Sequence, residues 1–371
     1  MSRRISFRIF AHSWISDWNH GNAHFLRGLA LELLNLGHEV RCYEEFGAWS
    51  MSHLMREDGG AGARAIELFR REFPELDVRF YERGGNLQET LRQELHGAEV
   101  VIIHEWNDPE VANQILALKK VFGFRALLHD THHRAYTNAG EILRFPLHLF
   151  DGVLAFGEAV TRIYLGGFGM QRAWTFHEGA DVRHFQPQPE ATDIDVLWIG
   201  NWGDEERTRE LMEFLVKPLE GLSGVRAVAH GVRYPVEAQR VLAETGIEYR
   251  GYLPNLIAPA VYGRSAVSLH VPRRHYTNGL SGVPTIRVFE ALACGATLVC
   301  SPWTDAEQLF RPDDYIVVNS GEEMRKTIHW LLCDDAARRQ IGARGRETVM
   351  RRHTCFHRAR QLVEICEEIT S

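Results

Sequence analysis

The most informative part of this chain is residues 281–301, which read Ser-Gly-Val-Pro-Thr-Ile-Arg-Val-Phe-Glu-Ala-Leu-Ala-Cys-Gly-Ala-Thr-Leu-Val-Cys-Ser. A loop that contains glycine and proline leads into a short predicted helix, which carries Arg287 and Glu290. We expect Gly295 to end this helix and the apolar segment 296–300 to follow it as a buried strand. The stretch therefore predicts a loop, a helix and a strand in immediate succession.

The start of this predicted helix has the properties of a phosphate site. The first N–H groups of a helix have no partner within it, and its dipole places partial positive charge there. We expect the amides of Thr285 and Ile286 to contact phosphate, and the Glu290 carboxylate to hold ribose hydroxyls one turn further on. Arg287 lies three residues before Glu290, so the alternative for these two is a local ion pair. Together these parts suit the diphosphate and ribose of a nucleotide-sugar.

Composition sets the broad class of the protein. At 371 residues the chain is too long for one ordinary core, which favours two domains. With 45% hydrophobic and 25% charged residues it is typical of a soluble globular protein. The net charge of -7 argues against a nucleic-acid partner. The sequence shows no membrane span and no signal peptide, and its six cysteines form no Cys-x-x-Cys pair, so we expect reduced thiols in a cytoplasmic protein.

The first half of the chain alternates predicted strands and helices. A strand at 5–12, a helix at 24–36 and a strand from 39 to 43 form a βαβ unit, which implies a parallel sheet. Further strands are predicted at 78–81, 100–104, 125–129, 152–156 and 174–177, with helices at 87–95, 109–122 and 158–165.

The second half repeats this alternation after a proline-containing linker, predicted at 186–190. Its strands are predicted at 196–199, 226–230, 248–250, 268–271, 296–300 and 316–318, and its other helices at 206–216, 322–333, 336–352 and 356–369. The fold class predicted is therefore α/β, with two Rossmann-like doubly wound domains. In such an arrangement the ligand is expected in a central cleft between the strand C-termini of the two domains.

Four stretches, taken in order, resemble a known family. They are residues 19–40, with a glycine-bearing loop and a Gly-His-Glu-Val turn; 178–187, with Glu-Gly-Ala-Asp before Phe185 and Pro187; 196–207; and 281–301. Their order is similar to that of GT-B glycosyltransferases of the retaining "group 1" superfamily, in particular its CgeB-like branch. The resemblance extends over nearly the whole chain, and no single stretch would be specific on its own.

The resemblance implies a division of labour between domains. Residues 1–187 would bind the acceptor, residues 188–353 would bind the nucleotide-sugar donor, and residues 354–371 would form a helix that crosses back to the first domain. The implied activity is transfer of a sugar, in a hexosyltransferase-like reaction, from a UDP- or GDP-sugar to an acceptor hydroxyl, with retention. The family needs no cofactor and no essential metal.

The chain departs from the family pattern at several positions. The superfamily often has a Glu-x7-Glu pair, but Gly282 stands eight residues before Glu290. Asn201 replaces the arginine that usually follows the glycine corresponding to Gly200, and a later lysine is absent. Arg207 and Arg287 are the expected substitutes. Because the missing carboxylate usually contacts sugar hydroxyls, the identity of the donor sugar is left open.

The remaining donor-binding candidates follow predicted strands. Gly200 and Asn201 open the phosphate loop, and Arg207 follows the acidic run 204–206. Arg207 would bind the diphosphate through charge-assisted hydrogen bonds, and the alternative is a solvated helix start. Arg273 lies just after a strand and is expected to assist, as is its neighbour Arg274. By resemblance, the loop with Tyr252 and Leu253 would pack on the nucleobase.

Four residues in the first domain are candidates for the chemistry. His129 and His133 follow a strand, where α/β active sites lie, and resemblance gives them a role facing the substrate. A hydrogen-bond network and, less favoured, a metal site are the alternatives there. Asp17 and His20 lie in the first loop, where either would serve as general base if the enzyme inverts. Loop capping is their structural alternative.

The partners are only partly readable. The acceptor could be a lipid, a glycan, a protein, a nucleic-acid base or a small molecule, and the oligomeric state is open. Lys119 and Lys120, near Phe122 and Phe124, could make a peripheral membrane contact, although a solvated helix face is favoured. Two alternative functions share the architecture: a nucleotide-sugar 2-epimerase and a nucleotide-sugar-binding module without catalysis.

Overall fold

A computed structural model describes residues 3–57, 60–203, 205–220 and 222–370 of the chain. Asp204, the first residue of the acidic run considered above, is outside these ranges. The chain divides into two compact units, one made of Met1–Glu178 with Cys355–Ser371 and the other of Gly179–Thr354. Among the helices of the described residues, none is long and apolar enough to cross a membrane.

The described part of the first unit contains a parallel sheet of seven strands in the order β3-β2-β1-β4-β5-β6-β7. The strands are β1 Ser6–Phe10, β2 Glu39–Glu45, β3 Val78–Tyr81, β4 Val100–His104, β5 Arg125–Asp130, β6 Gly152–Ala155 and β7 Ala173–Thr175. The order reverses between β1 and β4, so the unit is doubly wound. Ligands of such sheets bind beyond the carboxyl ends of the strands at this reversal.

The helices of the first unit cover its sheet. They are α1 Ala23–Asn35, α2 Trp49–Leu54, α3 Ala61–Glu72, α4 Leu87–Leu95, α5 Pro109–Ala117, α6 Lys119–Phe122, α7 Arg134–Thr137, α8 Ala139–Ile142 and α9 Glu158–Arg162. A 3-10 turn at Leu147–Leu149 and a π turn at Ile163–Gly167 complete the unit's chain up to β7. All five residues of β4 are buried, which is typical of a parallel strand with helices on both faces.

The described part of the second unit contains a parallel sheet of six strands in the order β10-β9-β8-β11-β12-β13. The strands are β8 Ile194–Ile199, β9 Ala227–His230, β10 Ile247–Tyr249, β11 Ser265–His270, β12 Leu298–Cys300 and β13 Ile316–Val317. Here the reversal lies between β8 and β11. The residues that follow these two strands therefore occupy the position where a doubly wound sheet binds its ligand.

The described part of the second unit also contains several helices. They are α10 Thr208–Leu211, α11 Lys217–Glu220, α12 Val236–Thr245, α13 Ala258–Gly263, α14 Arg274–Asn278, α15 Ile286–Ala293, α16 Gly321–Cys333 and α17 Asp335–Arg352. A π turn at Met212–Val216 joins α10 to α11, and a 3-10 turn at Asn255–Ile257 precedes α13. The α16 helix is capped by Ser320, whose hydroxyl accepts a hydrogen bond from the amide of Glu323.

The last helix, α18 Cys355–Thr370, belongs to the first unit. It packs along α1, and the Cys355 thiol lies 3.7 Å from the carbonyl oxygen of Phe25. The Gln361 side chain donates a hydrogen bond of 2.8 Å to the carbonyl of Thr175 at the end of β7. The chain therefore returns at its end to the unit in which it began.

The predicted class of fold, two doubly wound parallel α/β domains, is confirmed. Several local predictions were wrong. The predicted helix 109–122 is two helices that meet at Leu118, and the predicted helix 206–216 begins at Thr208 and passes into a π turn. The sequence analysis missed the helices α2, α3, α7, α8, α12, α13 and α14. Most of them span four to six residues, which is too short for a clear apolar periodicity, whereas α3 and α12 are longer and each buries one face.

The group considered for membrane contact does not form one exposed patch. Phe124 is buried, and the Lys119 ammonium lies 2.8 Å from the Asp151 carboxylate. Lys119 also donates a hydrogen bond of 2.7 Å to the carbonyl of Leu149. This lysine therefore holds the turn before β6 in place.

Candidate functional site

Most donor-binding candidates lie at the carboxyl edge of the sheet in the second unit. Gly200 and Asn201 follow β8, Tyr252 and Leu253 come shortly after β10, and Arg273 comes shortly after β11. Parallel strands end at the same edge of a sheet, so residues far apart in sequence are brought together there. We call the group made by Asn201, Arg207 and Arg273 the arginine cluster.

Arg207 is the centre of the arginine cluster. Its guanidinium donates to the backbone and side-chain oxygens of Asn201, at 2.7 and 2.5 Å, and to the carbonyl of Val271 at 3.2 Å. It also lies 5.1 Å from the centre of the Trp198 ring, close enough for a cation–π contact. Residues that follow β8 and β11 therefore hold this guanidinium from two sides.

The environment of Arg207 favours an anion. Burial lowers the pKa of Arg207 to about 9, and the nearby positive charge of Arg273 adds to the effect. Its buried Nε has no hydrogen-bond partner among the described residues. A bound anion would restore the ordinary pKa of the guanidinium and supply the missing acceptor.

Close backbone packing shapes the loop beneath Arg207. Gly231 has a φ of 153°, and a Cβ atom there would lie 2.0 Å from the carbonyl oxygen of Gly200. Tyr234 donates a hydrogen bond of 2.8 Å to the same oxygen and accepts one of 2.8 Å from the Trp198 indole. A glycine and a buried phenol therefore hold the loop that the sequence analysis assigned to phosphate.

Arg273 and Arg274 differ in their environment. The Arg273 guanidinium contacts Glu206 at 3.2 Å and the Asn201 side chain at 3.5 Å, which joins it to the arginine cluster. Arg274 instead forms two hydrogen bonds, of 2.9 and 3.2 Å, with the carboxylate of Glu210. Of the two arginines that the sequence analysis considered together, only Arg273 belongs to the cluster.

The α15 helix begins at Ile286, as the sequence predicts, with Thr285 as its N-cap. The Thr285 hydroxyl does not cap the helix and instead lies 2.9 Å from the His270 Nε2. The first amides of α15 have no acceptor within the helix, so they keep their capacity to bind an anion.

Arg287 and Glu290 form the ion pair that the three-residue spacing suggested. The Glu290 side chain is fully buried, and the Tyr262 hydroxyl lies 3.4 Å from its carboxylate. Burial would lower the pKa of Arg287, but Glu290 and Tyr262 outweigh it and raise this pKa. The carboxylate that the sequence analysis assigned to ribose is thus fixed in place by a cation and a phenol.

His270 is a member of this site that the sequence analysis missed. It ends β11, it is 3% exposed, and its Nδ1 has no partner among the described residues. Burial, followed by the charges of Arg207 and Arg287, lowers the pKa of His270 to about 3, so the ring is neutral at physiological pH. Its position at a strand end could have identified it, since His270 directly precedes the loop that carries Arg273.

Tyr252 and Leu253 lie on a half-buried loop that begins at Gly251, which has a φ of 70°. The carbonyl of Gly251 accepts a hydrogen bond of 2.8 Å from the amide of Gly231. The loop is thereby tied to the end of β9, next to the phosphate loop. Its role in contacting a nucleobase stays a prediction.

The carboxyl edge of the first sheet carries a group of four histidines, His12, His20, His104 and His129. The ring centres are 3.9 Å apart for His12 and His20, 5.0 Å for His12 and His104, and 5.2 Å for His104 and His129. We call these four the histidine cluster. The structure thus brings together two of the predicted candidates, His20 and His129, with two that the sequence analysis missed.

The histidine cluster is neutral. Burial, with a smaller contribution from His104, lowers the pKa of His20 to about 3. Burial, followed by the charge of Arg134, lowers the pKa of His104 to about 3. Burial also lowers the pKa values of His12 and His129 well below the ordinary value. These rings therefore bind ligands through hydrogen bonds rather than through charge.

Two buried carboxyl groups, Glu105 and Asp130, directly follow His104 and His129 of the histidine cluster in the chain. Burial raises the pKa of Glu105 to about 7, and burial together with the charge of Glu105 raises that of Asp130 to about 7. Glu105 lies 3.2 Å from His104 and also contacts Thr131. Sequence reasoning missed these groups, because only burial distinguishes them from surface carboxylates.

Asp17 and His133 have other partners close by. The Asp17 carboxylate lies 3.3 Å from the buried guanidinium of Arg27, which also donates to the carbonyls of Trp14 and Ile15. His133 makes a hydrogen bond of 2.8 Å through Nδ1 with the Thr137 hydroxyl. In this structure both residues contribute to local folding, and their assignment to the chemistry stays a prediction.

Two kinds of comparison with known proteins found similar proteins. A family model described as glycosyl transferase-like matches residues 207–364, which include Arg207, Arg273 and the α15 helix. The match covers less than half of the chain. No curated protein is similar to the chain in sequence.

Solved structures match over nearly the whole chain. A glycosyltransferase from Rickettsia africae is 14% identical, with a TM-score of 0.67, covering 100% of this chain and 99% of that protein. HepE from Anabaena, in complex with UDP and glucose, is 12% identical, with a TM-score of 0.70 and coverage of 98% and 100%. The chain has the GT-B fold. An alpha-glucosyltransferase in complex with UDP and a 13-mer DNA that contains an HMU base is 11% identical, with a TM-score of 0.71 and coverage of 98% and 100%.

The GT-B fold confirms the architecture that the sequence resemblance implied. At these identities the likeness concerns the fold, so the substrate and the branch within the superfamily depend on the chain's own residues. Among the residues that the structure describes, the arginine cluster and the histidine cluster are two groups that offer chemistry to a ligand.

Proposed function

We propose that this protein is a glycosyltransferase, which transfers a sugar from a nucleoside-diphosphate sugar to an acceptor hydroxyl. The observation that carries the proposal is the arginine cluster, where Arg207 has an unpartnered buried Nε in the same unit as the N-terminus of α15. The match of residues 207–364 to a glycosyl transferase-like model supports it, as does the UDP bound to two structures of the same fold.

In this proposal the arginine cluster and the first amides of α15 hold the diphosphate. Negative charge grows on the diphosphate as the glycosidic bond breaks, so fixed cations and amides lower the barrier. Arg287 and Glu290 would hold the ribose, and the loop with Tyr252 and Leu253 would contact the base. We assign the donor as a UDP-sugar, with GDP-sugar as the competitor. The donor domain is then 188–353, the acceptor domain 1–187, and the helix at 354–371 joins the latter.

We also propose that the reaction retains the configuration of the sugar. An inverting enzyme needs a general base for the acceptor hydroxyl, and Asp17 and His20 were the candidates. Asp17 is occupied by Arg27, and a pKa of about 3 makes His20 a weak base. In a retaining reaction the departing phosphate takes the acceptor proton, so no such base is needed. His129 and His133 would then orient the substrates.

Calorimetric titration of UDP, GDP and their glucose conjugates tests the donor site. We expect Arg207→Ala to weaken binding by about 100-fold, or ~2.7 kcal/mol, which is the loss expected for a charge-assisted contact. Arg209→Ala is the matched control, because Arg209 is an exposed arginine two residues away.

We expect Glu290→Gln to weaken binding as well, whereas Glu237→Gln, on an exposed position of α12, leaves it unchanged. Near-normal affinity in both Arg207→Ala and Glu290→Gln would refute the site.

Turnover distinguishes transfer from the other activities of this architecture. We expect release of UDP that depends on an added acceptor, and a product whose anomeric proton coupling matches that of the donor sugar. Inversion at C2 of the free donor would instead identify an epimerase. Binding without any turnover across the donor and acceptor panel would identify a binding module, and either result would overturn the proposal.

A further inference from the structure

A cavity of about 320 Å³ lies in the first unit, near the carboxyl ends of β1, β2 and β4. Two histidines of the histidine cluster, His12 and His20, line it together with Trp49 and Trp106. Its volume is at the small end of the range of roughly 300–1,000 Å³ that ligand sites occupy. The cavity therefore suits one small ring rather than an extended ligand.

Two partly exposed indoles form walls of this cavity. Trp49 and Trp106 are 48% and 37% exposed, and the His20 ring lies 6.0 Å from the first and 6.3 Å from the second. The Arg134 guanidinium stacks 3.9 Å from the centre of the Trp106 ring and holds it in place. An exposed indole presents a rigid apolar face, onto which the C–H groups of a pyranose ring can pack.

His12 supplies polar atoms that match a hydroxyl group. Both of its ring nitrogens are buried and lack a hydrogen-bond partner among the described residues. Because burial keeps the ring neutral, one nitrogen is a donor and the other an acceptor. Hydroxyl groups both accept and donate, so they satisfy both nitrogens, whereas a phosphate oxygen satisfies only the donor.

The charges around the cavity disfavour an anionic ligand. Arg83 is the basic residue of its lining, and its guanidinium is paired with the carboxylates of Glu45 and Asp108. Among the lining residues, two carboxylates against one cation leave a net negative charge, and the Arg134 cation behind Trp106 is itself paired with the Glu105 carboxylate. A nucleic-acid strand or an anionic lipid headgroup would meet repulsion here.

We propose that this cavity binds a neutral sugar ring, and that this sugar is the acceptor of the transfer reaction. Only the second part of this inference, that the bound sugar is the acceptor, rests on the proposed function. It narrows the acceptor from any hydroxyl-bearing molecule to a free saccharide or the terminal unit of an uncharged glycan.

Saturation-transfer NMR and calorimetry on the full chain, with and without UDP, test the inference. The probes are methyl glucosides, galactosides and mannosides, maltose and cellobiose. We expect at least one sugar to bind without UDP, and Trp49→Ala and Trp106→Ala each to weaken it by tenfold or more. Trp330→Ala is the matched control, because Trp330 is 47% exposed on α16 in the other unit. Thermal unfolding of each variant checks that it is folded.

UDP affinity separates the failure of this inference from that of the proposed function. The inference is wrong if UDP binds normally but no sugar of the panel binds. It is also wrong if a sugar binds both tryptophan variants as tightly as it binds the parent protein. In either case the donor site stands. Duplex DNA containing hydroxymethyluracil and phosphatidylglycerol vesicles serve as anionic competitors. Tryptophan-dependent binding of either one, in place of the sugars, would overturn the assignment to a neutral acceptor.

Discussion

The two sheets of this protein end in edges of opposite chemistry, although both are doubly wound. The edge of the second sheet carries the arginine cluster, where carbonyl and amide oxygens hold Arg207 and the Glu206 carboxylate pairs with Arg273. The edge of the first carries the histidine cluster, where burial removes the charge of every ring. Under the two proposals above, one edge would bind an anion and the other an uncharged, hydroxyl-rich ligand. Because both sheets have the same doubly wound topology, this difference in charge comes from burial and local pairing of the side chains at each edge.

The largest effect is expected from breaking the buried pair that shapes the first edge. Arg27→Met leaves the Asp17 carboxylate buried without its guanidinium, and removing one partner of a buried pair costs about 3–5 kcal/mol. Hydrogen exchange followed by mass spectrometry should show faster exchange in β1 and β4, with β8 and β11 unchanged. Equal loss of protection in both sheets would contradict the view that the pair serves the first unit alone.

Acidification sharpens the comparison, because the first edge contains histidines with lowered pKa values. The unfolded chain binds a proton at His20 below pH 6.5, while the folded chain binds it only near pH 3, so stability falls as the pH drops through this window. His20→Gln should reduce the loss of stability between pH 7 and pH 5 by about 2 kcal/mol. The free energy of unfolding of the parent protein and of His20→Gln is measured by urea denaturation at pH 7 and pH 5, with hydrogen exchange in β1 as the readout.

The exposed His148 provides the control, since His148→Gln removes a histidine of the same unit without touching the cluster. The raised pKa values of Glu105 and Asp130 act in the opposite direction, because these groups bind protons in the folded state between about pH 4 and 7. They are present in both variants and cancel in the comparison. An unchanged pH dependence in His20→Gln would mean that this ring is not held neutral in the folded protein.

A smaller effect is expected when the geometry of the Arg207 side chain changes but its positive charge is kept. Arg207→Lys retains a cation but loses the planar fork that contacts Asn201 and Val271. We expect UDP affinity to fall by about tenfold, or ~1.4 kcal/mol, which is less than for Arg207→Ala. Calorimetry measures it, and an effect equal to that of alanine would show that geometry matters more than charge.

The smallest effect is expected at the neighbouring Arg274. Its pair with Glu210 is partly exposed, and such pairs contribute at most about 1 kcal/mol. Arg274→Ala should leave UDP affinity within about twofold of the parent protein and should not change exchange in β11. A loss of affinity approaching that of Arg207→Ala would move Arg274 into the donor site.

Sequence reasoning predicted much of the fold because its signals are local. The buried run of β4, the loop before α15 and the glycine that ends it are readable from a few neighbouring residues. It missed α2 and α14, whose sequences carry no apolar repeat of sufficient length. It also predicted one helix at 109–122, because periodicity does not reveal the break at Leu118.

By itself, the sequence determined the class of fold, the order of the strands and the candidates that follow strands, including Arg207, Arg287 and Glu290. Only the tertiary structure showed that Asp17 is paired with Arg27, that His12 and His104 join His20 and His129, and that His270 contacts Thr285. The reason is physical. Strand periodicity depends on neighbours in the chain, whereas the charge of a histidine and the partner of an arginine depend on burial and on residues that folding brings together.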